Sequence, residues 1–187
     1  MTSSTAPLSP RTAVRGSRRS RGTRIRSLVT ALALVAAPGA VVLGSAGDAA
    51  AATKISHATA TSMFRDAGVT WSSSGNCSDR NTSTCTSFEQ LNLATAQGAQ
   101  TLKRASGCAL NITGGTETGH ASGTYSHWNG YKLDFGKSTC LNNYVKNSFS
   151  YIGVRGDGAQ QWQSASGNVY ADEGNHWDVT YYNCGGC

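Results

Sequence analysis

Apolar and polar positions along the C-terminal two thirds of the chain sort into one helical stripe and a set of short alternating runs. Phe88, Leu91, Thr95, Gly98 and Leu102 recur at the three- and four-residue spacing of one helix face. Ahead of them, Thr86-Ser87-Phe88-Glu89-Gln90 sets Ser/Thr three residues before Glu/Gln, as in a capping box, and Gly107 offers a stop. The pattern predicts a helix over residues 87–105 with its stripe toward a core. A shorter helix is expected within 54–67, ending at Gly68. Ala109–Thr113, Tyr131–Phe135, Asn168–Ala171 and His176–Tyr182 suit half-buried strands, and Gly114-Gly115 marks a turn or a close backbone approach. Residues 71–87 and 153–167 are expected to be loops. The sum is an α+β fold: a small single domain with helices packed on a mainly antiparallel sheet, stapled by disulfides.

The first fifty residues follow a different rule. Seven arginines between Arg11 and Arg26 precede an apolar run, Leu28 to Leu43, and small residues ending in Ala49-Ala50-Ala51-Ala52. Charged, then apolar, then small is the order of a secretory signal peptide, so residues 1–52 are expected to be an export segment and 53–187 the mature domain. The run is short of ~20 residues and is broken by Pro38, which disfavours a membrane anchor. Arg18-Arg19 lacks the apolar residues expected just after a twin-arginine pair. This division also relocates the charge. With seven arginines and only Asp48 as an acid, residues 1–52 hold the whole formal +6; residues 53–187 carry nine basic and nine acidic groups. Nothing in the mature part then argues for nucleic acid, and no membrane partner is expected once the segment is removed.

All six cysteines lie in the mature part, an even number suited to disulfides in an oxidising compartment. Sequence does not choose among the fifteen connectivities; pairing of neighbours would give Cys77–Cys85, Cys108–Cys140 and Cys184–Cys187. Cys184-Gly-Gly-Cys187 also has the spacing of half a zinc site or of a redox pair, but no second close pair exists, and it does not open a helix that would stabilise a thiolate.

His127, Asp134, Glu173 and His176 carry the candidate chemistry. Two imidazoles and a carboxylate can hold a zinc ion with one position open, and a second carboxylate three residues before the last His can take a proton from water. In an alternating strand, Leu133 faces away from Lys132 and Asp134, while His176, Asp178, Thr180 and Tyr182 share a face opposite Trp177, Val179 and Tyr181. Asp178 is thereby a neighbour of His176 and a rival base, as is Glu117. Ser126, His120 and Glu117 are further candidates for supporting the site or touching substrate; Thr180 and Tyr182 for lining it. His57 is expected at the surface.

The two stretches Ser126-His127-x-x-Gly130-x-x-x-Asp134 and Glu173-x-x-His176-Trp177 resemble the paired motifs of the zinc D-alanyl-D-alanine peptidase family, the M15 peptidases, over roughly residues 87–182. Leu110–Gly115 is similar to the strand and turn that precede the first motif. The resemblance implies His127, Asp134 and His176 as ligands of one zinc ion, with Glu173 as general base. It also implies a secreted hydrolase, monomeric, acting on peptidoglycan stem peptides in the cell wall. One departure stands out: the turn after the early strand reads Thr113-Gly114-Gly115-Thr116-Glu117, without the arginine that commonly grips a substrate carboxylate in that family. Arg104 or Arg155 would have to serve from elsewhere. Its absence keeps open a non-catalytic, zinc-containing binding module. A small disulfide-rich inhibitor or toxin is a third class, which would leave the spacing of the four residues to coincidence.

Overall fold

The computed structural model describes residues 52–182. Residues 1–51 of the expected export segment and the expected Cys184–Cys187 pair lie outside the described residues.

Three helices and nine strands form an α+β arrangement among these residues. The first pieces are β1 (Lys54–Ile55), α1 (His57–Ala67), β2 (Thr70–Trp71), β3 (Leu91–Asn92) and α2 (Leu93–Ser106). There follow β4 (Asn111–Gly114), β5 (Lys132–Gly136) and α3 (Thr139–Ser148). The chain ends in β6 (Ser150–Val154), β7 (Gln160–Gln163), β8 (Val169–Asp172) and β9 (His176–Thr180). A seven-stranded sheet has the order β2-β4-β5-β9-β8-β7-β6, antiparallel except for β2 beside β4.

Local chemistry sets the helix ends. Ser56 caps α1, its hydroxyl accepting from Thr59 N at 3.1 Å, and Gly68 ends it in the left-handed conformation as expected. Ser138 caps α3 through Leu141 N at 3.1 Å. Phe64, Ala96, Ala99, Leu102, Leu141 and Val145 bring the helices onto one sheet face, where Ile112, Leu133, Phe135, Trp177, Val179 and Tyr181 are buried. Cys108–Cys140 ties the approach to β4 to α3, and Cys77–Cys85 pins the 71–87 loop, both as expected. The disulfides suit an oxidising environment. No helix among the described residues is long and apolar enough to cross a membrane.

Three expectations need correction. The main helix begins at Leu93, not at residue 87. The segment before it is held by tertiary bonds stronger than its helical preference: Ser87 O accepts from Thr116 N at 2.7 Å, Ser87 N donates to Glu117 at 2.8 Å, and Leu91 and Asn92 pair with β1. Gln90 turns left-handed to allow this, and Glu89 reaches away to accept from His57 N at 2.9 Å at the start of α1. His57 is accordingly half-buried rather than on the surface, stacked on Phe88 with its Nδ1 accepting from Phe88 N. Residues 153–167 are not all loop either, because β6 and β7 make a hairpin whose Trp162 packs edge-on against Trp177.

Gly98 tests the packing. In an exposed helix, Gly→Ala would gain up to ~1 kcal/mol. Here a Cβ would lie 2.3 Å from the ring of Tyr181, itself only 1% exposed and unable to swing away. Overpacking of this kind costs ~1–3 kcal/mol, so Gly98→Ala is expected to lower stability, as measured by denaturant unfolding. An increase would mean the α2–β9 contact is looser than described.

Candidate metal-binding cleft

Strand alternation divides the sheet into an apolar face and a chemical one. With Leu133, Phe135, Trp177 and Val179 turned to the core, Lys132 and Asp134 on β5 and His176 and Asp178 on β9 turn to the other side. There they line a cleft of about 600 Å³ with His127, Glu173, His120 and Arg155.

His127 comes from the turn before β5. Its carbonyl accepts from Gly130 N at 2.7 Å, Ser126 O accepts from Tyr131 N at 3.1 Å, and the Ser126 hydroxyl accepts from Asn129 N at 3.2 Å. Ser126 thus shapes the turn. Gly130 is required in it: its φ is 76°, and a Cβ would lie 2.5 Å from Gln90 O. The His127 ring is buried, with Nδ1 2.6 Å from Gly115 O. A carbonyl only accepts, so Nδ1 carries a proton; with the ring neutral, Nε2 presents a lone pair, the usual arrangement of a metal-binding imidazole. The Gly114-Gly115 pair allows the close approach expected there: a Cβ on Gly115 would lie 2.0 Å from Ser87 O.

Asp134 Oδ1 is the meeting point. His127 Nε2 lies 3.2 Å from it and His176 Nε2 3.6 Å. His176 Nδ1 sits 2.6 Å from Asn175 Oδ1, which leaves its Nε2 toward the cleft. Glu173 Oε2 is 3.2 Å from that same Nε2. The structure therefore brings together all four residues expected from the motifs. His120, His127 and Asp134 also present one potential ligand atom each within 4.8 Å of one another, a group that can hold a metal ion. Asp134 Oδ1 is buried and makes no hydrogen bond, although an unsatisfied buried acceptor is costly. A cation would satisfy it, so the donor set fits a metal.

Glu117 and His120 form the wall beside this point. The Glu117 carboxylate is buried and accepts from Gly115 N at 2.9 Å, Ser87 N at 2.8 Å and His120 Nε2 at 3.2 Å. Burial pushes this carboxyl up, but those three donors outweigh it and hold it below its ordinary value. His120 is raised, first by its bond to Glu117, against burial and with help from Asp134. Its ring stacks on His127 at 3.8 Å. Glu117 is in this way an anchor of the Gly115 loop and not a group facing Asp134.

Arg155, at the end of β6, is the residue whose place sequence could not give. Its guanidinium spans three carboxylates: Asp178 Oδ2 at 2.9 Å, Asp157 Oδ2 at 2.6 Å, and Glu173 Oε1. Lys132 Nζ also reaches Asp178 Oδ2, at 2.5 Å. Burial raises the Asp178 carboxyl, but Lys132 above all, then His127 and Arg155, bring it below its ordinary value. Arg104 bonds Thr101 on the exposed side of α2 and takes no part. Thr180 and Tyr182 are not among the residues lining the cleft.

Comparison with protein-family models, with curated proteins and with solved structures finds no match. The reading of this cleft therefore rests on its own geometry.

A lowered carboxyl contributes stability that is complete above its ordinary pKa, 4.5 for Glu117, and is lost as pH falls through the folded value. Acid unfolding of Glu117→Gln should accordingly show a flatter dependence on pH below about pH 4.5 than the unmodified chain. Stability should also be lower at neutral pH, by ~1–3 kcal/mol for the weakened bonds to buried N–H groups. An unchanged acid limb would deny the carboxylate its anchoring role.

Proposed function

We propose that the chain is an exported zinc-dependent peptidase of the zinc D-alanyl-D-alanine peptidase kind, hydrolysing peptides of the bacterial cell wall. The observation that carries the reading is the convergence of two imidazole Nε2 atoms on one buried, unpartnered oxygen of Asp134, with the Glu173 carboxylate 3.2 Å from one of them.

In this reading His127, Asp134 and His176 hold the ion. Two His and one carboxylate with an open side suit zinc. A bound zinc ion supplies Lewis acidity, polarising a carbonyl and making water more acidic. Glu173 acts as general base: its Oε2 faces the cleft, takes a proton from water and returns it to the leaving amine. Arg155 holds Oε1 of the same carboxylate and so fixes its orientation. His127 keeps its tautomer through Gly115 O.

Arg155 also bears on the bond cut. Its guanidinium already serves Asp157, Glu173 and Asp178, so gripping a substrate carboxylate would require it to release one of them. That favours cleavage within a peptide over removal of a terminal residue. The same ion pair favours a second reading, in which Arg155 keeps Glu173 from acting and the cleft binds peptide without cutting it.

Two variants separate these readings. His176→Ala should lose zinc, because one of three ligands is gone; unchanged zinc content would refute the ligand set. Glu173→Ala should keep zinc but lower kcat by ~10²-fold or more on peptidoglycan fragments followed by mass spectrometry. Zinc-loaded, folded protein that makes no new termini would leave the binding module as the function.

A further inference from the structure

We propose that Asp178 is a direct donor to the cation, adding a second carboxylate to the two imidazoles and Asp134 in a site that expands to five positions and so keeps one open for water. The proposal rests on the cleft being a cation site and adds to it a ligand that neither motif contains.

The sheet register is the first ground. Asp134 and Asp178 are directly opposed on β5 and β9. Residues so opposed have Cβ atoms ~4.5–5.5 Å apart, and like charges there are destabilising. Both residues are only 5% exposed, so water does little to screen them. Lys132 and Arg155 account for Oδ2 of Asp178 but leave its Oδ1 buried and without a hydrogen bond, as is Oδ1 of Asp134.

The second ground is where those two oxygens point. Both face His127 Nε2, Asp134 Oδ1 from 3.2 Å and Asp178 Oδ1 from 3.8 Å. The proton of that ring is on Nδ1, held by Gly115 O. With that ring neutral, its Nε2 and the two carboxylate oxygens are three lone-pair acceptors, and no hydrogen lies between the nitrogen and either oxygen. A water molecule has two hydrogens for three acceptors; a cation meets all three. Donors bound at ~2.0–2.2 Å to one ion stand roughly 3–3.6 Å apart, close to the 3.2 and 3.8 Å between His127 Nε2 and the two oxygens.

Charge across the cleft agrees. Lys132 and Arg155 face Asp134, Asp157, Glu173 and Asp178, which leaves a formal −2 with neutral histidines. One divalent cation balances it. The rival occupant of the gap is a second proton on His127, making an imidazolium bridge between the two carboxylates.

The test uses the full 187-residue chain, stripped of metal and titrated with cobalt(II) followed by its visible absorption, and with zinc against a chromophoric chelator. Asp178→Asn should change the cobalt spectrum and weaken zinc by more than the ~10–100-fold that loss of a ligand's supporting partner costs. Lys132→Met removes a partner of Oδ2 while keeping Oδ1, and should stay within that range. Asp178→Asn binding no more weakly than Lys132→Met, with an unaltered cobalt spectrum, overturns the assignment but leaves the cation site standing. Should Asp178→Asn fail to fold, anomalous scattering from zinc-loaded crystals of the unmodified chain decides. A peak ~2.0–2.2 Å from Asp178 Oδ1 is expected, and one beyond bonding distance overturns the proposal. No ion taken up at all overturns both the assignment and the cation site, leaving the imidazolium bridge.

Discussion

The pairing of β5 with β9 is the constraint on which the site depends. Its register sets Phe135 beside Trp177 and Leu133 beside Val179 on one face, all fully buried. The same register opposes Asp134 and Asp178 on the other. A one-residue slip of β9 against β5 would turn Trp177 to solvent and Asp178 into the core, so apolar packing and site geometry are fixed by the same hydrogen bonds. The cost of opposing two buried acids is met in part by Lys132 and Arg155 on Asp178. Asp134 has no such cation. Its neighbours are three imidazoles, and this asymmetry marks where a metal ion would be held.

Around that strand pair the loops converge through backbone contacts that only small residues allow. Gly115 lies against Ser87, and its carbonyl fixes the tautomer of His127. Glu117 then ties the same loop to Ser87 and to His120. The disulfides lie outside the cleft, one pinning the 71–87 loop and the other joining the approach to β4 to α3. They hold the scaffold while the polar face is left to chemistry. Such a division suits an oxidising environment, in which crosslinks can support a limited core.

Much of this was legible in the residues because the strands that carry the site are regular. Trp177, Val179 and Tyr181 alternate with His176, Asp178 and Thr180 clearly enough to separate core from cleft. The spacing of His127 and Asp134 sets one in the turn before β5 and the other within that strand. Cysteines close in sequence proved to be partners at Cys77–Cys85, and the Cys108–Cys140 pair also formed. What was not legible depends on distant partners. The capping pattern at Ser87 is real as local chemistry, but Glu117 and Thr116 claim the backbone there first. The β6–β7 hairpin exposes Tyr151, Ile152 and Val154, so its residues lack the apolar alternation of a half-buried strand. Arg155 is carried by that hairpin, and its three carboxylate partners lie up to 23 positions away.

Everything proposed for the cleft requires that it hold one divalent ion. Native mass spectrometry of the purified full chain, before and after chelation and then with zinc restored, tests this most directly. One ion per chain, removed by chelator and regained from zinc, is the predicted result. A chain that retains no ion even in excess zinc would contradict the account.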